Sequence, residues 1–339
     1  MRVKITFALC ATLVALGAAE APAQPLGPAQ PLQPLQLVRL YQGRRAPEDT
    51  DRVSRKVRIG KDGRVSISNL SGDIVVSASS GDEVSIDATK RGSRGDFDRV
   101  RIVIDDKPGR VDIRTDYSPW RGGNNVSVDY NVTVPADVSL DVHSVSGRVR
   151  VDGVKGSIRL ASVSGNITSA NTPQVEYLRT VSGEIALGSI SHDGTLSVSS
   201  VSGNIALNGV KTRTLDLNTV SGEIRLRDAA IEALTAKSLS GGFEYTGTLV
   251  KTGRYDVNTH SGGVRFALAD NTGFELSAGS FSGPIRSDFP MTVGGDRNPN
   301  IRLGRGRRGP GESLQGTYGD GSASLNLRTF SGSIVITKR

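Results

Sequence analysis

The sequence predicts an all-β protein built as a single-stranded parallel β-helix, a right-handed β-solenoid with rungs of about 18–21 residues and antiparallel strands on its N-terminal side. Three observations predict this fold class. A Ser-Gly dipeptide recurs at nearly constant spacing, apolar and polar residues alternate on both sides of it, and glycine-containing corners separate the alternating runs. Glycine supplies 41 of the 339 residues without a Gly-X-Y period, which suits tight corners and excludes collagen.

The Ser-Gly dipeptide defines the repeat, and an apolar or aromatic residue precedes it in nearly every copy. Its serines are Ser71, Ser146, Ser164, Ser182, Ser202, Ser221, Ser240, Ser261, Ser282 and Ser331. From Ser146 to Ser282 the successive steps are 18, 18, 20, 19, 19, 21 and 21 residues. One unit cannot bury its apolar face alone, whereas units stacked at the strand spacing of ~4.8 Å bury it together. The spacing therefore predicts rungs that stack in chain order.

Each repeat is predicted to contain short strands joined at a bend. Apolar residues stand six and four places before the serine, with polar residues between them. The two sets are Leu140, Ile158, Leu196, Leu215, Leu234 and Leu276, and Val142, Leu160, Leu178, Val198, Leu217 and Val257. After the motif the alternation changes parity, so that Val181 is predicted to share the inward face with Ile185, and Val220 with Ile224. Corners such as Asn208-Gly209 supply the positive φ angles of tight turns.

Two further columns support this register. Hydroxyl side chains occupy the position two places before the serine and are predicted to point into the bend and form a hydroxyl ladder there: Thr180, Ser200, Thr219, Ser238 and Thr259. On the outer surface Asn204 separates Glu184 from Glu223, and Arg225 stacks on Glu244. Because like charges on adjacent rungs would be destabilising, this order favours the predicted stacking.

Two segments depart from the repeat. Residues 228–237 favour a helix by propensity, yet the period places Leu234 and Ala236 at inward strand positions, and we give the period precedence. The inward column is interrupted at Glu176, which predicts a local bulge after Pro173.

The regions outside the regular repeats are predicted to close the stack. The Ser-Gly dipeptide is absent between Ser71 and Ser146, and residues 106–109 have the composition of a hairpin turn. The predicted regions are an N-terminal β region at 53–135, the regular solenoid at 136–289, a Gly/Arg-rich loop at 290–320 and a final pair of strands within 321–339.

Two segments, together with the SGxI repeats behind them, resemble a known family. The segments are NLSGDIVV at 69–76 and VSVDYNVTVPADVSLDVHSVSGRVRVDGVKGSI at 126–158. They resemble the bacterial "putative adhesin" family of exported domains of unknown function, over roughly residues 55–285. This resemblance implies an exported β-solenoid with a surface or envelope role, and it carries no catalytic residues over to this chain.

The N-terminal residues predict export. Arg2 and Lys4 precede the apolar run 5–17, and a small-x-small cleavage site follows, so residues 1–23 are predicted to be a secretory signal peptide. Residues 24–52 are rich in Pro and Gln and are predicted to form an extended tether. We therefore expect the protein in the periplasm or at the cell surface, with no transmembrane span after signal removal.

Cysteine and charge content narrow the function classes. Cys10 is the only cysteine and lies inside the predicted signal, which excludes disulfides and thiol catalysis in the mature chain. Removal of the signal changes the formal charge from +8 to +7. This excess suits an anionic envelope polymer or a lipid surface as partner, with ordinary solvation as the alternative, and another envelope protein is also an expected partner. Without interleaved aromatic residues it does not favour nucleic acid. The sequence leaves the oligomeric state open.

One arginine-rich segment is a candidate binding site. Gly304, Gly306 and Gly309 match a dinucleotide fingerprint, but that chemistry needs a helix N-terminus directly after the loop, and Pro310 follows instead. We therefore expect no cofactor. The arginines Arg302, Arg305, Arg307 and Arg308 are predicted to form an anion-binding loop for phosphate or carboxylate groups. A solvated flexible loop is the alternative.

No catalytic or metal site is predicted. The three histidines, His143, His192 and His260, lack metal-ligand spacing, and the GxSxG motif does not occur. A lyase needs converging carboxylates, and the outward column five places before the serine never places two acids on adjacent rungs. This column contains Asp141, Arg159, Tyr177, Ser197, Asp216, Thr235 and Asp256. We expect a non-enzymatic exported β-solenoid with an adhesin-like or structural role at the bacterial envelope. A carbohydrate-active lyase or hydrolase, and an envelope-stress sensing module, are the alternatives.

Overall fold

The computed structural model describes residues 49–60, 62–117, 126–292 and 311–339. The first strands are β1 Asp49–Arg58, β2 Arg64–Ser71, β3 Ile74–Ser79, β4 Glu83–Gly92, β5 Val100–Lys107, β6 Arg110–Tyr117, β7 Ser127–Pro135, β8 Ser139–Ser146 and β9 Val149–Asp152. The middle strands are β10 Ile158–Ser164, β11 Ile167–Ala170, β12 Val175–Ser182, β13 Ile185–Ser202, β14 Ile205–Ser221 and β15 Ile224–Ser240. The last strands are β16 Phe243–Gly247, β17 Arg254–Ser261, β18 Val264–Leu268, β19 Phe274–Ser282, β20 Ile285–Ser287, β21 Glu312–Tyr318, β22 Ala323–Ser331 and β23 Ile334–Lys338.

These strands form one hydrogen-bonded sheet of mixed orientation. The helix within the described ranges is a short 3-10 turn, Arg94–Arg99. The predicted all-β class is therefore confirmed. No helix in the described part of the chain is both long and apolar enough to cross a membrane.

The repeats pair in parallel, serine beside serine. The paired series runs from Ser71 through Ser146, Ser164, Ser182, Ser202, Ser221 and Ser240 to Ser261. Ile205 pairs with Ile185 on one side and with Ile224 on the other, and all three side chains are fully buried. The register predicted from the repeat spacing is therefore present in these strands.

Glycine after each serine permits the corners to stack closely. A Cβ atom on Gly203 would overlap the carbonyl oxygen of Gly183 in the next corner. The corner is also held by a backbone hydrogen bond, since Gly203 donates its N–H to the Ser221 carbonyl oxygen at 3.0 Å. A larger residue at this position would separate two stacked corners, which explains why the dipeptide is Ser-Gly.

Both departures from the repeat have the predicted outcome. Residues 228–237 lie in the strand β15, where Leu234 and Ala236 are buried. A register shift occurs between β10 and β12 at Glu176, whose carboxylate pairs with Arg159 at 3.0 Å. The inward period therefore outweighs local helix propensity, because strand burial supplies more free energy than the propensity difference.

The order of the last rungs differs from the prediction. The strand β22 lies between β17 and β19, so Ser331 pairs with both Ser261 and Ser282. The rungs therefore do not all follow chain order. The two strands predicted within 321–339 are present as β22 and β23, but β22 is inserted between two earlier rungs. The strand β21, within the segment predicted as a loop, pairs antiparallel with β19 on its other side. Since β22 carries the same inward pattern as its neighbours, with Leu325 and Leu327 buried, sequence spacing does not fix its place.

The N-terminal region combines both strand orientations. Antiparallel pairing joins β1 to β4, β4 to β7 and β5 to β6, as the alternating runs predict. The predicted hairpin is present, with Gly109 at φ 71°. The strands β2 and β3 instead pair in parallel with β8 and β9, so the Ser71 copy of the motif adjoins the regular repeats.

Candidate binding surface

An exposed apolar line runs along the stacked corners. It consists of the residue before each repeat serine, in pairing order Leu70, Val145, Val163, Val181, Val201, Val220, Leu239, His260, Phe330 and Phe281, and we call it the ridge. Of the ten large hydrophobic residues exposed in the described ranges, nine lie on the ridge and Val75 alone lies elsewhere. The ridge crosses ten paired strands, a length of about 43 Å at ~4.8 Å per strand.

The ridge corrects one prediction. Val181 and Val220 were expected to share the inward face with Ile185 and Ile224, but they are 37% and 45% exposed. At the corner the residue before the serine and the serine itself both face outward, so the parity changes one place later than the alternation suggests. The recurring apolar residue before Ser-Gly was visible in the sequence, but its pattern does not separate an inward position from an outward one.

The ridge ends in a stack of three parallel rings. The ring of Phe330 lies 4.9 Å from that of His260 and 4.6 Å from that of Phe281, at interplanar angles of 8° and 6°. This stack exists because β22 lies between β17 and β19. Phe330, the middle ring, therefore has a neighbouring ring on each of its two faces.

A groove of about 690 Å³ lies beside the ridge. Its opposite wall is the residue three places before the serine, which we call the polar column: Arg179, Ser199, Asn218, Lys237, Asn258 and Arg328. Its floor carries the hydroxyl residues Thr180, Ser200, Thr219, Ser238, Thr259 and Thr329. The described residues that line the groove include three strong cations and no Asp or Glu.

The three cations of the polar column have no carboxylate partner among the described residues. Arg179, Lys237 and Arg328 are exposed and make no ion pair within the described ranges. Some other surface arginines are paired, as Arg148 is with Asp73 at 2.7 Å and Arg213 with Asp193 at 2.8 Å, whereas Arg150 and Arg254, like the three cations, make no ion pair within the described ranges. The lining of the groove therefore combines an apolar wall with positive charge, and Asp256 lies beside Lys237 and Arg328 just outside this lining.

The floor hydroxyls confirm the predicted inward column. All five of the predicted residues are buried. Thr259 donates a hydrogen bond to the Gly262 carbonyl oxygen at 3.0 Å, and Thr329 donates to the same oxygen at 3.1 Å. Thr180 donates more weakly to the Gly165 carbonyl oxygen at 3.4 Å. These bonds go to backbone carbonyl oxygens, and the buried hydroxyls of Ser200, Thr219 and Ser238 have no hydrogen-bond partner among the described residues. The column is therefore inward as predicted, but its hydroxyls do not form the predicted ladder.

The other candidate residues are not brought together into a site. His143 contacts Asp141 at 3.0 Å on the exposed surface, and His260 belongs to the ring stack. In the outward column Asp216 and Asp256 are separated by Thr235, as predicted. Within the described ranges no cluster of His, Cys, Asp and Glu is placed to hold a metal ion. The predicted anion-binding arginines Arg302, Arg305, Arg307 and Arg308 lie outside the described residues.

Buried tyrosines belong to the core. The Tyr130 hydroxyl lies 2.6 Å from the Thr115 hydroxyl, and burial raises the pKa of Tyr130 to about 12. Burial also raises the pKa of Tyr245, whose hydroxyl donates to the Ala229 carbonyl oxygen at 2.9 Å. Both phenols are therefore held protonated by the interior that contains them.

Comparison with known proteins identifies a family. The sequence profile of the family described as Toastrack DUF4097 matches residues 63–308. This match includes most of the segment that showed a resemblance to "putative adhesin" domains, and it confirms that resemblance. No curated protein matches the chain.

Several solved bacterial structures match parts of the chain at low sequence identity. A "putative adhesin" from Bacteroides fragilis is 12% identical, with 84% of this chain and 97% of that chain covered and a TM-score of 0.42. A "putative lipid binding protein" from Parabacteroides distasonis is 17% identical, with 64% and 90% covered and a TM-score of 0.43. A "putative cell adhesion protein" from Clostridium sporogenes is 12% identical, with 86% and 100% covered and a TM-score of 0.25.

Proposed function

We propose, from the premise that this chain belongs to the Toastrack DUF4097 family, that it is a non-enzymatic, exported protein of the bacterial cell envelope with an adhesin-like role. It binds an anionic envelope partner along the ridge and the polar column. The proposal includes the signal peptide at residues 1–23 and the tether predicted at 24–52, which is shortened to 24–48 because the strand β1 begins at Asp49. The four arginines between 302 and 308 are a second contact for anions in the same proposal.

One observation carries the proposal, namely the concentration of exposed apolar residues on the ridge. Soluble proteins expose single hydrophobic residues at scattered places, whereas a contiguous apolar surface marks an interaction site. Here the exposed side chains follow one line, and the adjacent polar column contains cations without acids. This arrangement favours a partner with apolar surface and negative charge.

The finer architecture belongs to the same proposal. We propose that the parallel strands wind as a right-handed solenoid with rungs of about 18–21 residues. The parallel pairing of successive repeat serines supports this winding. Such a coil repeats each surface position at the strand spacing, so it presents one long binding line to the envelope.

Retention on isolated bacterial envelopes tests the binding role. The full chain with Val201→Ser and Val220→Ser is compared with the wild type and with Val75→Ser, which alters an exposed valine away from the ridge. We expect the double variant to lose most of its retention, since the apolar contact is removed while the fold is kept, and the control to bind as the wild type does. Equal retention of all three proteins would contradict the proposal.

Fractionation of cells that express the full chain tests export. Leu13→Asp with Val14→Asp interrupts the apolar run of the proposed signal, and Gln33→Asp in the tether serves as control. We expect the wild type and the control in the periplasmic or surface fraction with residues 1–23 removed, and the double variant in the cytoplasm with its N-terminus intact. Retention of the wild type in the cytoplasm would contradict the export role.

A further inference from the structure

We infer that the groove binds a single-chain anionic amphiphile, with its alkyl chain along the ridge and its charged head group on the polar column. This inference rests on the proposed function, because it names the chemistry of the partner that the ridge contacts. The volume of about 690 Å³ falls within the range of ~300–1,000 Å³ typical of small-molecule sites.

Each wall of the groove contacts a different part of the proposed ligand. Val201, Val220 and Leu239 present methyl groups at successive paired strands, which makes a continuous aliphatic strip. Lys237 and Arg328 stand on the opposite wall, two strands apart or roughly 10 Å at the strand spacing. An alkyl chain buries surface against the strip while an anionic head group pairs with these cations.

The ring stack favours an alkyl chain over a sugar. Sugars dock on the face of an aromatic ring, but the faces of Phe330 lie against His260 and Phe281 at separations of 4.9 and 4.6 Å. Both faces of Phe330 are therefore covered, and Phe330 and Phe281, which are 47% and 45% exposed, continue the apolar line of the aliphatic strip. An acidic polysaccharide would meet the charges of the groove but no open ring face on Phe330.

Charge argues against a second copy of this chain docked with the two polar columns opposed. In that arrangement Arg179, Lys237 and Arg328 of each copy would face cations rather than carboxylates. Like charges brought together in an interface are unfavourable. The ligand therefore brings the negative charge that the groove lacks.

Calorimetry with monomeric dodecyl phosphate tests the inference on the full chain. We expect saturable binding, with affinity rising roughly twofold to fourfold for each methylene added in a series of alkyl phosphates. Butyl phosphate and inorganic phosphate should bind far more weakly, since they lack the chain. The neutral detergent dodecyl maltoside should bind at least about tenfold more weakly, since it lacks the charge that pairs with Lys237 and Arg328.

Paired variants separate the two parts of the site. Lys237→Gln with Arg328→Gln should weaken dodecyl phosphate binding about fivefold to tenfold, and Lys211→Gln, an exposed lysine outside the groove, should leave it unchanged. Leu239→Ser should weaken it while Val75→Ser does not. Circular dichroism of each variant confirms that it is folded.

Several outcomes would overturn the inference. The head-group pairing would be refuted if the Lys237 and Arg328 substitutions left the affinity for dodecyl phosphate unchanged. It would also be refuted if dodecyl maltoside bound as tightly as dodecyl phosphate. Binding to vesicles of anionic phospholipid without binding of the monomer would assign the ridge to a membrane surface instead. Absence of dodecyl phosphate binding by a protein that is still retained on envelopes through Val201 and Val220 would refute the amphiphile and leave the proposed function standing.

Discussion

The ridge and the inward column behind it use the same kind of aliphatic side chain, four residues apart, in opposite environments. The inward residues Ile185, Ile205 and Ile224 are fully buried, whereas the ridge residues Val181, Val201 and Val220 are 37%, 37% and 45% exposed. Folding removes the inward column from water and gains free energy from it, but it leaves much of the ridge in contact with solvent. Stability therefore explains why the inward column is apolar, but it does not explain why the ridge is apolar.

The corner glycine lies between the ridge residue and the inward residue of each repeat. Its replacement should have the largest effect on the unfolding free energy. Gly203→Ala places a Cβ where the Gly183 carbonyl oxygen lies, which forces two stacked corners apart. We expect a loss of more than about 4 kcal/mol of unfolding free energy, or no cooperative transition at all. Urea denaturation measures it. Gly188→Ala is the matched control because a Cβ there meets no atom within 4 Å, and equal loss in both variants would refute the stacked-corner account.

Substitutions in the inward column should have the second-largest effect on the unfolding free energy. Ile205→Ala leaves a cavity between Ile185 and Ile224 and should reduce the unfolding free energy by about 2–5 kcal/mol. The measurement is the shift in the urea midpoint at unchanged slope. A loss below about 1 kcal/mol would show that this position is not packed as the parallel register requires.

A buried phenol gives the stability of the core a dependence on pH in the alkaline range. The pKa of Tyr130 is raised from 10.0 to about 12 in the folded protein, so folding favours the protonated phenol. Its contribution is therefore complete below the unfolded pKa and is lost as the pH rises from about 10 to about 12. Denaturation midpoints measured across this range should fall less steeply in Tyr130→Phe than in the wild type. Parallel curves for the two proteins would contradict the assignment.

Substitutions on the ridge should change the unfolding free energy least and envelope binding most. Val220→Ser is expected to change the unfolding free energy by no more than about 0.5 kcal/mol, since the side chain is already 45% exposed. Denaturation and envelope retention are measured on the same preparation. A destabilisation comparable with that of Ile205→Ala would place Val220 among the structural residues and remove the distinction on which the comparison depends.

The repeat spacing was sufficient to predict the strands, their parallel register and the buried hydroxyl column. The inward positions recur as Leu or Ile at fixed offsets from the serine, so Leu234 and Ala236 could be placed in a strand despite a helix-favouring composition. Hydrophobic burial repeated over many copies overrides local propensity, which is why these assignments held.

Two features of the structure could not be predicted from the repeat spacing. The direction of Val181 depends on backbone angles at the bend, and two successive outward residues there shift the parity that alternation alone assumes. The place of Ser331 between Ser261 and Ser282 cannot be read from the spacing, because all rungs carry equivalent inward residues. The ridge could not be predicted without the outward direction of Val181 and the position of β22. The stack of His260, Phe330 and Phe281 forms only in the observed strand order.

Photo-crosslinking in intact envelopes tests the central claim most directly. A photoreactive residue replaces Val220 on the ridge in one chain and Val75 away from the ridge in another, two positions of similar exposure. The account predicts covalent adducts from position 220 and few or none from position 75 after irradiation of cells. Adducts of equal yield from both positions, or from position 75 alone, would show that the ridge is not the surface through which this protein meets the envelope.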